Sequence, residues 1–210
     1  MAKGSDWERE ASKMLSLWWT EGERDDVIWR TAASGGRATV RSKVGKNTAN
    51  ACGDLCYTDR IAKPLFDFML IECKRGYAKA QPSGSINVLY WLDRPTNTKP
   101  PLLYQWWHKL KEECRAAGAH YGAIIFRRTG KRACIMLEYH LFSTMAQYCK
   151  PYTGMDITIS TPHETHPWPE EEYVILDLER FLAWCSPQTI TLMLEDLGGA
   201  KQHQTRTLRR

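Results

Sequence analysis

The feature that most constrains this chain is the run Leu65-Phe-Asp-Phe-Met-Leu-Ile-Glu-Cys-Lys74, an almost unbroken apolar stretch that stops at an acid and a base. It predicts a strand over 65–74. Phe66, Phe68, Leu70, Glu72 and Lys74 would point one way; Asp67, Met69, Ile71 and Cys73 would point the other. Both rows are mostly apolar, so the strand belongs in a sheet covered on both faces. The rest of the chain supplies the covers. Trp7, Ala11, Met14, Leu15 and Trp18 recur at helical spacing, which predicts a helix from an N-cap at Ser5-Asp6 to about Thr20. Val27–Thr31 and Gly53–Thr58 predict short strands, with Ile61–Pro64 as a connection. Leu102–Ala117 predicts a helix stopped by Gly118. Tyr121–Arg127 and Ala133–Glu138 predict a strand pair, followed by a helix at His140–Tyr148, a strand at Tyr173–Leu178 and a helix from Glu179 to Cys185. The resulting class is α/β (α+β), with the order α-β-β-β-α-β and helices flanking a mixed central sheet.

One domain suits 210 residues. A core over 1–150 would carry a basic loop at 33–50, residues 151–200 would add a strand-helix extension of the same domain, and a basic tail at 201–210 is expected to be disordered. Residues 81–101 are rich in turn formers and read as a long irregular insertion, with a short strand at 86–91. No apolar run is long enough for a membrane span, and the N-terminal residues lack a secretory stretch, so no membrane partner and a cytoplasmic location are expected. The seven cysteines are scattered and read as reduced, buried small hydrophobes. Cys52-x3-Cys56 has no matching second pair for a zinc site, and His163 and His166 fall in a Pro-rich stretch that reads as a surface loop.

Charge is modest overall, +5, but unevenly placed. Arg30, Arg37, Arg41, Lys43 and Lys46 fall in a stretch with no acid, and Lys201–Arg210 is similar. Both suit contact with phosphates. Arg127-Arg128 and Lys131-Arg132 flank a turn and read first as solvated charges, second as phosphate contacts. In each Trp pair, Trp18-Trp19 and Trp106-Trp107, one ring should be core and the other partly exposed. An exposed ring could stack on a base.

The chemistry-bearing residues are Gly53-Asp54 and, eighteen positions after Asp54, Glu72-Cys73-Lys74. Paired as a hairpin, the two strands would set Asp54 beside Glu72, and the period of two places Lys74 on the face of Glu72. Adjacent carboxylates repel, and a hard dication resolves the repulsion. Oxygen ligands with retained waters suit Mg²⁺, with Mn²⁺ as a substitute. Lys74 could orient or deprotonate a water, helped by a depressed pKa if buried. Glu8, on the first helix, could add a third carboxylate.

Gly-Asp54 followed by Ile-Glu72-Cys-Lys74 resembles the motif of the PD-(D/E)XK (restriction-endonuclease-like) nuclease superfamily, in its G-D … E-x-K form, with Gly53 where the family often has Pro. The start of the chain is similar to archaeal-type Holliday-junction resolvases: Glu8-Arg9-Glu10 on the first helix, then a strand ending in Arg30 and the Ser34-Gly35-Gly36 loop. The resemblance covers a little over half the chain. It implies metal binding by Glu8, Asp54 and Glu72, catalysis by Lys74, and DNA contact by Arg30, Ser34 and the basic loop. Gln105 resembles a glutamine that some subfamilies place near the active site. The implied function is a Mg²⁺-dependent endodeoxyribonuclease, of the kind a phage encodes, cutting branched DNA as a homodimer. A nuclease of the same fold acting on linear or nicked DNA, and a non-catalytic DNA-binding protein, are the competing expectations.

Overall fold

The computed structural model describes residues 3–31, 53–77, 86, 101–160 and 171–207. Helix α1 (Lys3–Trp19) leads into strand β1 (Ile28–Arg30), which pairs antiparallel with β2 (Leu55–Tyr57). A 3-10 turn (Arg60–Ala62) and the short helix α2 (Lys63–Phe68) precede β3 (Met69–Arg75). Helix α3 (Leu102–Ala117), β4 (Tyr121–Arg127), β5 (Ala133–Glu138) and α4 (Tyr139–Tyr148) follow. The chain continues through β6 (Asp156–Ser160), β7 (Glu172–Asp177), α5 (Leu178–Trp184) and α6 (Pro187–Thr207).

Five strands form a mixed sheet in the order β3-β4-β5-β7-β6. Among the described strands only β3 and β4 are parallel, with α3 lying between them in sequence. The neighbouring pairs β4/β5, β5/β7 and β6/β7 are antiparallel. Alternation along the strands divides the core in two. Met69, Ile71, Cys73, Ala123, Ile125, Val174 and Leu176 pack toward α1, α2, α4, α5 and α6. Leu70, Ile124, Phe126, Met136 and Tyr173 pack toward α3 through Leu103, Tyr104, Trp107 and Leu110. Glu72 and Lys74 lie in register with Leu70, on the α3 side.

The mixed sheet flanked by helices, the α3 stop at Gly118 (φ +72°) and the β4/β5 pair follow the sequence reading. Several local expectations are corrected. Ser5-Asp6 lies inside the first turn of α1 rather than capping it, because the helix begins at Lys3. Residues 65–68 are helical, not extended: Pro64 sits in the first turn, where its fixed φ favours a helix start, and Lys63 pairs with Asp67 one turn on. The alternating strand therefore begins at Met69. The strand-helix extension is part of the same sheet, with β7 between β5 and β6. The basic tail enters α6 as far as Thr207; lengthening an existing helix avoids the cost of nucleating one. The expected strand at 86–91 and the His163/His166 loop lie outside the described residues, apart from the buried Ile86.

Candidate active site

Strand β3 is an edge of the five-stranded sheet, and its open side is met by the residues just before β2. The Asp54 amide donates to the Ile71 carbonyl at 3.1 Å, and the Cys73 amide donates to Asp54 Oδ2 at 2.9 Å. Asp54 and Glu72 are thus brought together without the expected hairpin. β2 takes β1 as its ladder partner, and the backbone hydrogen bond to β3 is made by Asp54, just before β2 begins. Gly53 makes the approach possible. Its φ is +75°, and a Cβ there would stand 2.9 Å from the Ile71 carbonyl oxygen. Thr31 fastens the segment from the other side. Its amide donates to the Asp54 carbonyl at 2.9 Å and its hydroxyl to the Gly53 carbonyl at 2.6 Å.

The side chains then converge. The Lys74 ammonium donates to Glu72 Oε1 and lies 3.8 Å from Asp54 Oδ2. Both carboxylates are buried, Asp54 at 9% and Glu72 at 7% exposure. Burial, with the Asp54 charge second, pushes the Glu72 carboxyl up to about 7 against the opposing pull of Lys74. For Lys74, burial acts to lower the pKa, but Glu72 and Asp54 together outweigh it and raise the pKa. The expectation of a depressed lysine is therefore corrected: two nearby carboxylates hold it as an ammonium. The Cys73 thiol, fully enclosed beside these acids, is raised well above its ordinary value, as suits a buried, unreactive cysteine.

Glu8 approaches from α1. Burial, then Asp54, raises its pKa. Arg30, at the end of β1, holds its Nε 3.5 Å from Glu8 Oε2, an ion-pair distance without hydrogen-bond geometry. That oxygen is buried and has no hydrogen-bond partner. Among the described residues no three His, Cys, Asp or Glu side chains come close enough to hold a metal ion by themselves. The donor chemistry nevertheless fits a hard dication, since it offers only carboxylate oxygens, including the orphaned one on Glu8. Glu8, Arg30, Asp54, Glu72 and Lys74 therefore form one linked ionic group.

Other expected residues fall elsewhere. Ser34, Arg37, Arg41, Lys43 and Lys46 lie outside the described residues. Gln105 is exposed on α3, one position from Trp106. Arg127 is not a solvated turn charge: its guanidinium is bidentate to Glu10 and lies 4.4 Å over the Trp7 ring. Sequence reasoning did not assign Thr31, Gly53 or the Cys73 amide their supporting roles. The one available signal was a glycine directly before the acid.

A family model described as "Phage putative PDDEXK endonuclease" matches residues 1–191. No curated protein and no solved structure matches the chain significantly.

Proposed function

The chain belongs to this phage PDDEXK endonuclease family, which covers it over residues 1–191, and from that premise we propose a metal-dependent endodeoxyribonuclease that hydrolyses DNA phosphodiester bonds through Glu8, Asp54, Glu72 and Lys74. One observation carries the reading: two buried carboxylates, one from β3 and one from the segment before β2, meet on a single ammonium. Burying two carboxylates side by side costs stability, more than the single contact of Asp54 with the Cys73 amide requires.

PDDEXK nucleases generally use divalent metals, and here Asp54 and Glu72, with Glu8 from α1, would hold Mg²⁺, or Mn²⁺ in its place. When bound, the ion supplies Lewis-acid stabilisation of the phosphoryl group and activates the attacking water. Lys74, kept positive by its neighbours, stabilises charge developing on the phosphate oxygens. Arg30 anchors Glu8 and presents its remaining donors toward the DNA backbone. Ser34 and the loop bases Arg37, Arg41, Lys43 and Lys46 neutralise phosphates farther along the duplex.

The favoured substrate is branched DNA, cut by a homodimer whose two-fold symmetry supplies paired incisions. The Glu8-Arg9-Glu10 segment on α1, packed against the strand that ends in Arg30, supports that choice. The test is a panel of four-way junction, flap, nicked, linear and single-stranded DNA in Mg²⁺ or Mn²⁺, using wild type, Asp54→Asn and Lys74→Met. Wild type should cut the junction best, and each variant should lose on the order of 100-fold in rate or more. Equal cutting by all three proteins would sink the assignment. A preference for linear or nicked DNA would leave a nuclease with a different substrate. Salt-sensitive binding without any cutting would indicate a non-catalytic DNA-binding protein.

A further inference from the structure

Beyond the ionic cluster, the α3 side of β3 opens into a cavity of about 290 Å³. Glu72 and Lys74 border it on one side, and Tyr77 and Trp106 line it with the buried Leu110 and the largely exposed Lys109. The two aromatic rings meet at 69° with centroids 4.8 Å apart, forming a corner. The Lys74 ammonium lies 5.9 Å from the centre of the Trp106 ring. The backbone is bent to make this corner. After β3, Gly76 turns at φ +104° while its amide still donates to the Arg127 carbonyl at 3.0 Å. Tyr77 follows at φ +63°, a conformation that a bulky L-residue rarely adopts. Ordinary core packing would bury both rings, yet Tyr77 remains 39% exposed and Trp106 half-buried around the cavity.

We propose that Tyr77 and Trp106 form a stacking corner for one unpaired DNA base beside the scissile phosphate, so that an unpaired nucleotide at the cut raises the cleavage rate of a substrate, branched or linear, over its fully paired form. The position of the phosphate rests on the nuclease reading; the stacking itself does not. A cavity near the small end of ligand sites suits a single nucleoside and excludes a stacked base pair. Rings meeting at a steep angle give a flat base one face to stack on and one edge to abut. Glu113 also lines the cavity and pairs with Lys109 at 3.2 Å; at the exposed margin Lys109 would exchange that carboxylate for the neighbouring phosphate.

The test uses a duplex carrying one unpaired 2-aminopurine nucleotide, with chelator present so that nothing is cut. Stacking on an aromatic side chain quenches this fluorophore. Saturating wild-type protein, with binding followed by anisotropy, should quench it. Tyr77→Ala and Trp106→Leu should each lose at least half of the quench, and Trp106→Phe should retain it. In Mg²⁺, wild type should cut the unpaired-nucleotide duplex about tenfold faster than its fully paired counterpart, the worth of one stacked base, and the ratio should fall toward one in Tyr77→Ala. If Trp106→Leu fails to fold, the surface variant Tyr77→Ala decides. No quench with wild type bound, or equal quench in both variants, overturns the proposal. A normal quench without cleavage of any DNA keeps the stacking corner and removes the nuclease reading instead.

Discussion

Glu72 carries the site's clearest pH signature. Its carboxyl is raised from 4.5 to about 7 by burial and by Asp54. The folded state therefore holds its proton more tightly than the unfolded chain does. That contribution to stability is fully present below about pH 4.5 and is lost as pH rises through about 7. Glu72→Gln removes the dependence. In chelator-treated protein the stability advantage of wild type over Glu72→Gln should shrink by on the order of 2 kcal/mol between pH 5 and 8, followed by urea denaturation. A flat difference across that range would show that Glu72 is not desolvated. Gly53 has a different task. Gly53→Ala forces a side chain into a left-handed backbone and against the Ile71 carbonyl, so it should cost about 1–2 kcal/mol. Because Asp54 is the next residue, activity should fall further than stability alone explains, which a comparison of cleavage rate and denaturation midpoint would reveal. At this scale the meeting of Asp54, Glu72 and Lys74 was legible, not from Glu-x-Lys itself, which is usually a solvated pair, but from the apolar run that carries it to the end of a buried strand. The state of Lys74 was not, because the sequence does not reveal whether burial or two carboxylates will dominate a lysine.

Among the elements, regular patterns were readable and ambiguous ones were not. α3, β4 and β5 lie where their periodicity and the Gly118 stop placed them. Residues 65–68 satisfied both periods at once. Leu65 and Phe68, three apart, are both buried in the helix, and the same letters also alternate as a strand would. Pro64 broke the tie. β6 was missed because the alternation of Ile157 and Ile159 spans just five residues, too short a run to stand out, and among the described residues the strand lies at the sheet edge, largely exposed. α6 was missed because Gly198-Gly199 weakens its propensity, although Ile190 and Met193 are buried at helical spacing. The seat of α3 on the sheet depends on a missing side chain. A Cβ on Gly122 would lie 2.8 Å from Leu110 Cδ2 and 3.1 Å from Cys114 Sγ. Gly122→Val should push α3 away from β4 and cost roughly 1–3 kcal/mol. Denaturant melts measure that cost, and an unchanged midpoint would mean that the helix accommodates the branch freely.

For the whole molecule, the sequence resemblance reached a little over half the chain, whereas the fold uses nearly all of the described residues as one unit. β7 joins β5 to β6, and Val174 and Leu176 on one face, with Tyr173 and Ile175 on the other, complete both cores. No local pattern could announce this, because which strands become neighbours is settled by long-range pairing. A chain ending at residue 150 would leave Ile135, Met136 and Leu137 of β5 without cover. It should aggregate or lack cooperative melting even though it retains every proposed catalytic residue, a result that circular dichroism and light scattering would report. Divalent ions should act on the intact protein in the opposite direction. A saturating excess of Mg²⁺, about 100 times its dissociation constant, should stabilise wild type by about 2.7 kcal/mol and leave Asp54→Asn nearly unmoved. An equal shift in both proteins would separate the ion from Asp54.

The contact between Asp54 and the Cys73 amide has a consequence for handling the protein. That carboxylate stoppers the rim of β3, where an unsatisfied backbone donor would otherwise invite a foreign strand to dock. Alanine at position 54 would uncork the rim as well as silence the chemistry, so such a preparation should turn sticky and form oligomers on storage. Asparagine keeps an oxygen facing the same amide and should yield a clean, inert enzyme, which makes it the better dead variant for trapping bound DNA.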